Sequence, residues 1–460
     1  MTTYGPHNPH PLSRMRTELV WEGKYDEYGN RRDVDVAGLA MPLQKIETID
    51  EPRSRAEAQG SLFDEQKAHR DDFRNLLIWG DNRLAAASLL ERFRGTITLI
   101  YIDPPFNKNE DFTLSVDLGD GKRSAKKDQS LLEFVAYRDI WGRDIGSYLQ
   151  MLYDRIMLFK ELLAEDGSIY IHCDRGINQY VRGIMDEIFG RGRFRGEIVW
   201  KRTSAHADAS YFGQVHDYIL FYSKGDAPKW NAPKTQYEEW YVERYYRYKD
   251  ADGRRFMSDN LSASGLSGGG YHYTWKGRDG FWRCPMETMR RLDEEGRIFY
   301  TKDGVPRLKR YLDEMEGRPV QSLWDDILPV VSWSDEETGY ATQKPEALLE
   351  RIIEASSDED DLVADFFCGS ATTLAAAEAL GRRWVGCDLG RFAVHSSRKR
   401  MIDRQRSLHD MNKSYRSFDV FNLGRYERQW WQRDALKGAE EEHRTVVLSF
   451  FRAEVLNHTP

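Results

Sequence analysis

Short apolar segments that alternate with helical patterns constrain the fold of this chain more than any other feature of it. Ile97 to Ile102 and Leu362 to Ala364 are two such segments, and an aspartate follows each. Apolar runs of this length between turn residues are typical of strands that are buried on both faces of a parallel sheet. Parallel strands need crossover helices, so the alternation predicts an α/β fold with a doubly wound, mostly parallel sheet. The predicted strands are 76–79, 97–102, 168–173, 197–200, 218–222, 362–364 and 384–387.

The loop after the first of these segments reads Asp103-Pro104-Pro105-Phe106. Its two prolines fix the backbone and withhold two N–H groups, so the loop is rigid and presents the Asp103 carboxylate and a proline carbonyl beside an aromatic face. An exocyclic amine carries two N–H donors on a planar ring, so these groups match an adenine or cytosine that has left its duplex. The structural alternative is a proline-stiffened turn with a packed phenylalanine, which would have the same sequence.

The loop after Leu362 to Ala364 runs from Asp365 to Thr373 and is rich in small residues. Small residues let the backbone approach a ligand, and the serine and threonine hydroxyls add donors at the start of the next helix. Asp388 ends the following strand about 20 residues later, where an acidic side chain can accept from ribose hydroxyls. The pattern predicts an adenosine-containing cofactor, and a dinucleotide would fit it equally well. A helix cap at Asp365 and a simple turn at Gly369 are the structural alternatives.

Charge and cysteine content narrow the class of protein. The net charge is -8 at pH 7, but basic residues cluster at 191–195, 201–202, 307–310 and 398–400, so nucleic acid is not excluded as a partner. The four cysteines stand singly, without the paired spacing of a zinc site or a disulfide framework, and we expect no bound metal. No run approaches the roughly 20 apolar residues of a membrane span. The first residues lack the basic and apolar regions of a signal peptide, which favours a cytoplasmic protein without a membrane partner.

Changes of pattern divide the chain into five parts. Residues 1–72 carry proline, glycine and charge without sustained periodicity, which predicts an N-terminal arm. The α/β alternation of 73–223 breaks off at an aromatic and basic stretch, 224–335, which we interpret as an inserted domain, and it resumes over 336–406. The C-terminal extension at 407–460 holds apolar segments, 419–423 among them, that require burial against a partner which the sequence does not identify.

Three motifs in one order give the chain a resemblance to a known family. The Asp-Pro-Pro-Phe loop comes first, the segment from Thr342 to Pro345 follows, and the loop from Asp365 to Thr373 comes last. This order resembles the β-class DNA amino-methyltransferases of the adenine-N6 type, in particular the modification subunits of type III restriction-modification systems, over most of 76–404. The resemblance implies a circularly permuted, Rossmann-like methyltransferase sheet, with a catalytic half at 73–223, a target-recognition insert at 224–335 and a cofactor-binding half at 336–406. The implied cofactor is S-adenosylmethionine.

The resemblance also assigns site residues, at the positions that match the family's motifs. The implied catalytic residues are Asp103, Pro104, Pro105 and Phe106. The implied cofactor-binding residues are Asp81, Thr342, Lys344, Asp365, Phe367, Gly369, Ser370, Thr372 and Asp388. We expect a basic and hydroxyl-bearing segment to line the DNA cleft, consisting of Lys201, Arg202, Thr203 and Ser204. The chain departs from the family's pattern at Phe366, where proline is usual, at Ala371, where glycine is usual, and at Phe106, where tyrosine is commoner.

The first position of the predicted catalytic loop is an aspartate, and in this the chain resembles the adenine-N6 members of the family. We therefore expect a site-specific DNA methyltransferase that moves a methyl group from S-adenosylmethionine to N6 of a flipped adenine in double-stranded DNA, in restriction-modification or phage defence. N4-cytosine methylation is an alternative, as is a recognition subunit that needs a helicase or nuclease partner. An RNA or protein methyltransferase is a third interpretation. Related enzymes are often dimers, so a homodimer and a restriction or helicase subunit are the partners to test.

Overall fold

The structure is a computed structural model. It describes residues 18–32, 39–50, 73–105, 113–117, 124–128, 145–203, 211–265, 269–331, 334, 336–340 and 342–423. Two residues of the predicted site, Phe106 and Ser204, lie outside the described residues. The chain divides into two compact units, of which the first comprises Met1–Asn231 with Ser322–Pro460 and the second comprises Ala232–Gln321. The second unit falls within the range expected for the inserted domain, with narrower limits at both ends.

The strands and helices of the described residues are numbered along the chain. The strands are β1 (Gln44–Ile49), β2 (Asn75–Trp79), β3 (Ile97–Ile102), β4 (Thr113–Asp117), β5 (Ser124–Asp128), β6 (Leu163–Cys173), β7 (Phe194–Lys201), β8 (His216–Ser223), β9 (Lys234–Thr235), β10 (Tyr248–Lys249), β11 (Arg255–Asn260), β12 (Tyr271–Trp275), β13 (Arg278–Trp282), β14 (Ile298–Tyr300), β15 (Pro306–Tyr311), β16 (Arg318–Pro319), β17 (Leu323–Trp324), β18 (Leu362–Asp365), β19 (Arg383–Asp388) and β20 (Phe418–Asn422). The α-helices are α1 (Asn82–Phe93), α2 (Ile145–Leu162), α3 (Asn178–Ile188), α4 (Glu239–Tyr245), α5 (Met286–Glu294), α6 (Glu346–Ser356), α7 (Thr372–Ala379) and α8 (Arg391–Asp410).

One ten-stranded sheet forms the centre of the first unit. Its spatial order is β1-β20-β2-β19-β18-β3-β6-β8-β7-β17. The strands from β20 to β6 run parallel to their neighbours, whereas β8 is antiparallel to both β6 and β7. The predicted doubly wound, mostly parallel sheet is therefore confirmed. Every residue of β3 is buried, as expected of a central strand with helices packed against the sheet.

Two strands of this sheet come from parts of the sequence whose fold was not predicted. β20, from the C-terminal extension, lies between β1 and β2 and pairs in parallel with β2, with Asn75 opposite Phe418. This answers the question of what buries the apolar segment at 419–423. β1, from the predicted N-terminal arm, pairs antiparallel with β20 at the edge of the sheet. Its residues are mostly half-buried or exposed, because an edge strand needs little apolar character.

Helices of the first unit bury apolar faces against the sheet. The helix α2, which leads into β6, has buried side chains that include Leu152, Ile156 and Phe159. Phe159 stacks on Phe366, just beyond β18, with ring centroids 4.4 Å apart. Among the described residues, none of the helices combines the length and the apolar character that crossing a membrane requires.

The second unit has a small core of its own. A four-stranded antiparallel sheet in the order β10-β11-β15-β14 is accompanied by the hairpin pair β12 and β13. Leu261, Trp282, Met289 and Ile298 form the buried cluster. Aromatic and basic residues are abundant here, and Trp240 is half exposed.

Candidate active site

Four aspartates lie at the carboxyl edge of the large sheet, on consecutive strands. They are Asp81 after β2, Asp388 at the end of β19, Asp365 at the end of β18 and Asp103 after β3. Asp103 and Asp365 are far apart in sequence, yet their strands are neighbours, with Ala364 paired to Ile100. The chain leaves β3 toward β6 on one side, and β18 lies on the other, so their junction is a switch point of the kind where open α/β sheets bind ligands. The two loops that the sequence singled out therefore lie side by side.

Asp103 forms an ion pair with a lysine that the sequence assigned to the cofactor. Lys344 Nζ contacts Asp103 Oδ2, and their side chains are 13% and 18% exposed. Lys344 Nζ also lies 3.2 Å from the carbonyl oxygen of Thr342, whose own side chain is exposed. Pro104 is buried and Pro105 is half-buried. The structure thus places a positive charge against the predicted catalytic carboxylate, and both side chains are mostly buried.

Asp365 is buried within its own loop. Its Oδ1 accepts a hydrogen bond from the Phe367 N–H at 2.9 Å, and its Oδ2 accepts one from the Thr373 hydroxyl. Burial raises the pKa of Asp365 to about 7, against the lowering effect of these two hydrogen bonds. Phe366, which replaces the proline usual in the family, is fully buried through its stack on Phe159 and fastens the loop to the core. Asp365 therefore shapes the loop from inside.

The middle of the same loop has a left-handed backbone at two residues. Gly369 has φ +48°, and a β-carbon there would lie 3.1 Å from the ring of Tyr340, so glycine permits this close approach. Ala371 has φ +62° immediately before α7. Asp388 links this loop to the next one, since it accepts from the Gly369 N–H at 2.9 Å and from the Gly390 N–H at 2.8 Å.

Asp81 caps a helix and pairs with a buried arginine. Its carboxylate accepts from the N–H groups of Arg83 at 2.7 Å and Leu84 at 3.4 Å, at the start of α1. Arg155 Nη2 lies 2.8 Å from Asp81 Oδ2. Burial lowers the pKa of Arg155, and the charge of Asp81 opposes that shift. Sequence reasoning missed Arg155, which lies within an amphipathic helix and carries no motif signal.

Sequence reasoning also missed an arginine of α8 that contacts the loop from Asp365 to Thr373, the predicted cofactor loop. Arg400 Nη1 donates to the Thr372 hydroxyl at 2.9 Å and lies 3.3 Å from the Ser370 carbonyl oxygen. Its Nη2 lies 3.2 Å from Glu346, at the start of α6, and Arg404 also pairs with Glu346. Arg400 belongs to a basic run that would be expected to face solvent, but it is only 10% exposed. Two arginines of the basic run at 398–400 have different acidic partners, since Arg398 pairs with Glu47 of β1 whereas Arg400 pairs with Glu346.

The predicted DNA-contacting segment begins at the end of β7. Because β7 runs in the same direction as β6, Lys201 lies at the same edge of the sheet as the four aspartates. Lys201 is exposed, and Arg202 is 40% exposed, with its Nε 3.4 Å from Asp217. The N–H groups of Arg202 and Thr203 both donate to the Val215 carbonyl, which closes the base of the loop.

The donor set at this edge fits an adenosine-containing sulfonium. The carboxylates of Asp81 and Asp388 offer acceptors for ribose hydroxyls, the acidic edge suits a positive charge, and Lys344 suits a carboxylate. The left-handed Gly369 beside Tyr340 keeps one wall free of a side chain. The residues present thus fit S-adenosylmethionine in charge and hydrogen-bonding capacity.

Comparison with known proteins gives the same family. A model described as DNA methylase, N6_N4_Mtase, matches residues 97–399, a range that includes both strand-end loops. The type II methyltransferase M.EcaI of Enterobacter cloacae is 33% identical over 331 residues, which cover 71% of this chain and 69% of that protein. The StyLTI Mod subunit, a type III restriction-modification enzyme of Salmonella typhimurium, is 29% identical over 334 residues, covering 68% and 51%. The DNA adenine methyltransferase YhdJ of Escherichia coli is 24% identical over 326 residues, covering 71% and 82%.

The chain spans about half the length of the type III relative and about two thirds of the type II relative. Its matched region holds the central strands of the sheet, the Asp-Pro-Pro loop and the cofactor loop with its buried aspartate. This chain belongs to the N6/N4 DNA methylase family and is an S-adenosylmethionine-dependent DNA methyltransferase.

Proposed function

We propose that this methyltransferase acts on N6 of an adenine that has been extruded from double-stranded DNA, within restriction-modification or phage defence. The observation that carries the proposal is the position of Asp103, whose strand adjoins the strand of the cofactor loop. The name of the relative YhdJ, a DNA adenine methyltransferase, supports adenine as the target. The matched family covers N4-cytosine as well, so the target base is the first thing to measure.

Asp103 has the chemistry to hold an amino group for attack. Lys344 engages Asp103 Oδ2, and we assign Oδ1 as the acceptor of one amine N–H. The Pro104 carbonyl would take the second N–H, and Phe106 would stack on the base. Stacking of this kind is worth about 1–3 kcal/mol, which offsets part of the cost of extrusion.

Positioning is the main task of these residues. When bound, S-adenosylmethionine supplies an activated methyl group on a positively charged sulfur. The amino nitrogen would gain a bond to the methyl carbon as the bond between that carbon and sulfur breaks, so that the cofactor leaves as a neutral thioether. The nitrogen would also lose a proton, for which Asp103 is the assigned acceptor. Alignment of nitrogen, carbon and sulfur in a site shielded from water accounts for much of the rate in such a transfer.

The cofactor would be held along the row of aspartates. We assign Asp81 and Asp388 to the adenosine part, and Thr342 and Lys344 to the amino-acid part. Gly369, Ser370 and Thr372 would form the loop wall beside them, with Asp365 and Phe367 holding the loop in shape. Lys201 to Ser204 would contact the DNA backbone, where lysine and arginine neutralise phosphates.

Nucleoside mass spectrometry tests the target base. DNA methylated by the purified chain should contain N6-methyladenine, and an Asp103→Ala variant should leave it unmethylated. N4-methylcytosine alone would refute the adenine assignment. Methylation-aware sequencing of the same DNA would give the recognition site.

A second candidate function makes the chain a modification subunit that needs a partner. It is favoured by the similarity to a type III Mod subunit, of which the chain spans 51%. Co-purification of a helicase or nuclease subunit, together with methylation only in its presence, would support this function. Methylation by the purified chain alone would count against it, and light scattering in the same experiment would test a homodimer.

A further inference from the structure

A series of buried polar side chains begins two residues before Asp103. The Tyr101 hydroxyl lies 2.9 Å from His172 Nδ1, and His172 Nε2 lies 3.3 Å from Asp217 Oδ2. Arg202 Nε lies 3.4 Å from the same oxygen of Asp217. Tyr101, His172 and Asp217 come from β3, β6 and β8, which are adjacent in the sheet. These three residues are at most 2% exposed, so the series crosses the interior of the first unit and reaches solvent at Arg202.

The chemistry of these groups constrains the hydrogen bonds between them. Burial and then the charge of Asp103 raise the pKa of Tyr101, so its phenol stays protonated and has an O–H that can donate to His172 Nδ1. Burial opposes the ionisation of Asp217, but the hydrogen bond of His172 and the charges of Arg202 and Lys344 outweigh burial and lower its pKa. The Asp217 carboxylate therefore accepts from His172 Nε2–H, and His172 Nδ1 is the partner of the Tyr101 hydroxyl.

This series of side chains lies beside the end of β3, the strand that leads into Asp103. Ile102 is paired with Ile171, so His172 is level with Asp103 across the boundary of β3 and β6. Residues two apart in a strand point to the same face, so Tyr101 lies on the face that Asp103 continues. The electrostatic influence of Asp103 on Tyr101 is consistent with this proximity. The hydrogen bonds thus join the last residues of β3 to two further strands.

Stability alone does not explain these contacts. Within the part of the chain that the structure describes, Asp217 Oδ1 has no hydrogen-bond partner although it is buried. A buried carboxylate oxygen without a partner costs free energy, and a partly satisfied polar network is less stabilising than an apolar core. Such a network is better explained by a function that needs fixed geometry.

We propose that Tyr101 and His172 are positioning residues for methyl transfer. Together with Asp217 they hold the carboxyl end of β3, and therefore Asp103, in the place from which Asp103 accepts the amino group. This inference rests on the role of Asp103 in the proposed function. The methylation rate should depend on the position of Asp103, because a displacement of about 1 Å in a transfer site can cost about 100-fold in rate.

A matched pair of variants tests the role of Tyr101. Tyr170, on β6, is also fully buried, and its hydroxyl lies 2.7 Å from Ser356 Oγ. Tyr101→Phe and Tyr170→Phe each remove one buried hydroxyl and should lower the melting temperature alike. The single-turnover methylation rate should fall about tenfold in Tyr101→Phe only, with the Kd for S-adenosylmethionine changed less than twofold. A wild-type rate in Tyr101→Phe, or an equal fall in Tyr170→Phe, would overturn the proposal.

Two substitutions test His172. His172→Gln keeps an acceptor and a donor, whereas His172→Phe removes both, so the glutamine variant should recover at least a part of the rate that the phenylalanine variant loses. Equal rates in the two variants would contradict a positioning role, and if His172→Phe does not fold, the tyrosine pair decides. Wild type and Asp103→Ala are measured alongside. Absence of transfer to adenine by the wild type defeats the proposed function, whereas normal transfer by Tyr101→Phe with an inactive Asp103→Ala defeats this inference alone.

Discussion

Asp103 and Asp365 end neighbouring strands of one sheet, and the protein uses them in opposite ways. Asp365 is 3% exposed, and its two oxygens accept hydrogen bonds from Phe367 and Thr373 of its own loop. Asp103 is 18% exposed and meets Lys344 from a distant part of the chain. One carboxylate shapes its own loop, and the other forms an ion pair with a lysine at the candidate site.

The residues that follow each aspartate explain the difference. After Asp365 the backbone N–H of Phe367 folds back onto the carboxylate. After Asp103 come two prolines, which have no N–H to donate, so neither Pro104 nor Pro105 can satisfy this carboxylate through its backbone. In this pair, the backbone N–H two residues after the aspartate is present after Asp365 and absent after Asp103, and this separates a carboxylate held by its own loop from one that meets a distant lysine.

The largest effect should follow from removal of the outward-facing carboxylate. We expect Asp103→Ala to lower the methylation rate by about 10³-fold, since a group that accepts from the reacting amine contributes about 10²–10⁴. The melting temperature and the Kd for S-adenosylmethionine should change little, because among the described residues Asp103 contacts Lys344 and makes no hydrogen bond to Pro104 or Pro105. Radiolabel transfer, thermal unfolding and calorimetry would measure these three quantities. A large loss of stability would break the comparison with Asp365.

A smaller effect should follow from removal of the ammonium that faces Asp103. Lys344→Met leaves a mostly buried carboxylate without its counter-charge, so we expect the methylation rate to fall by about 10–100-fold, a cost of about 1.4–2.7 kcal/mol. Lys229→Met is a matched control, since Lys229 forms part-buried ion pairs with Asp358 and Asp361 away from the row of aspartates. Steady-state kinetics of both variants would measure the difference. Similar rates would show that the loss is not specific to the site.

The inward-facing carboxylate should govern stability rather than chemistry. Asp365→Asn keeps one acceptor but presents an amide to the Thr373 hydroxyl, so we expect the free energy of unfolding to fall by about 1–3 kcal/mol. The Kd for S-adenosylmethionine should rise as the loop loosens, while the rate with saturating cofactor stays near that of the wild type. Denaturant unfolding and single-turnover kinetics would separate the two effects. A rate loss as large as that of Asp103→Ala would refute the contrast between the two aspartates.

The raised pKa of Asp365 predicts a pH dependence for that substitution. Below about pH 4 the carboxyl is protonated in both the folded and the unfolded chain. Between about pH 4 and pH 7 the unfolded chain loses this proton while the folded chain keeps it, so the free energy of unfolding falls as pH rises. The Asp365→Asn variant has no carboxyl group at this position, so its free energy of unfolding does not fall with pH for this reason. The stability difference between wild type and variant should therefore be largest near pH 4 and shrink toward pH 7, and a constant difference across unfolding curves in that range would contradict the prediction.

The central strands of the large sheet could be predicted from the sequence, but the strands at one edge of it could not. Continuous apolar runs predicted β3 and β18 because strands buried on both faces have no polar side. β1 and β20 were missed, since a parallel partner far away in sequence leaves no local signal and a polar edge strand resembles a loop. Their pairing depends on the tertiary structure, which periodicity cannot report.

The parts of the site that could be predicted are those where residue type alone fixes the properties of the backbone. Two prolines after Asp103 and small residues after Asp365 have local consequences that can be foreseen from the sequence. Arg155 and Arg400 could not be foreseen, because each is one arginine on a helix and its role arises from loops that only the fold brings near. Whether the predicted residues hold base, cofactor and DNA stays a prediction that the experiments above address.

The smallest effect should come from a residue that departs from the family's usual glycine. Ala371 has φ +62°, a left-handed conformation that costs a residue with a β-carbon about 1–2 kcal/mol. Ala371→Gly removes that strain, but it gives the unfolded chain more freedom, by about 0.4–1 kcal/mol, and it deletes a fully buried methyl group. These terms nearly cancel, so we expect a change in the free energy of unfolding within about 1 kcal/mol and an unchanged Kd for S-adenosylmethionine. Ala371→Val is the contrasting variant, because a β-branched residue at this φ is strongly strained and should weaken cofactor binding. If Ala371→Gly alone altered the Kd, the shape of the cofactor loop would depend on the Ala371 methyl group as well as on the hydrogen bonds of Asp365.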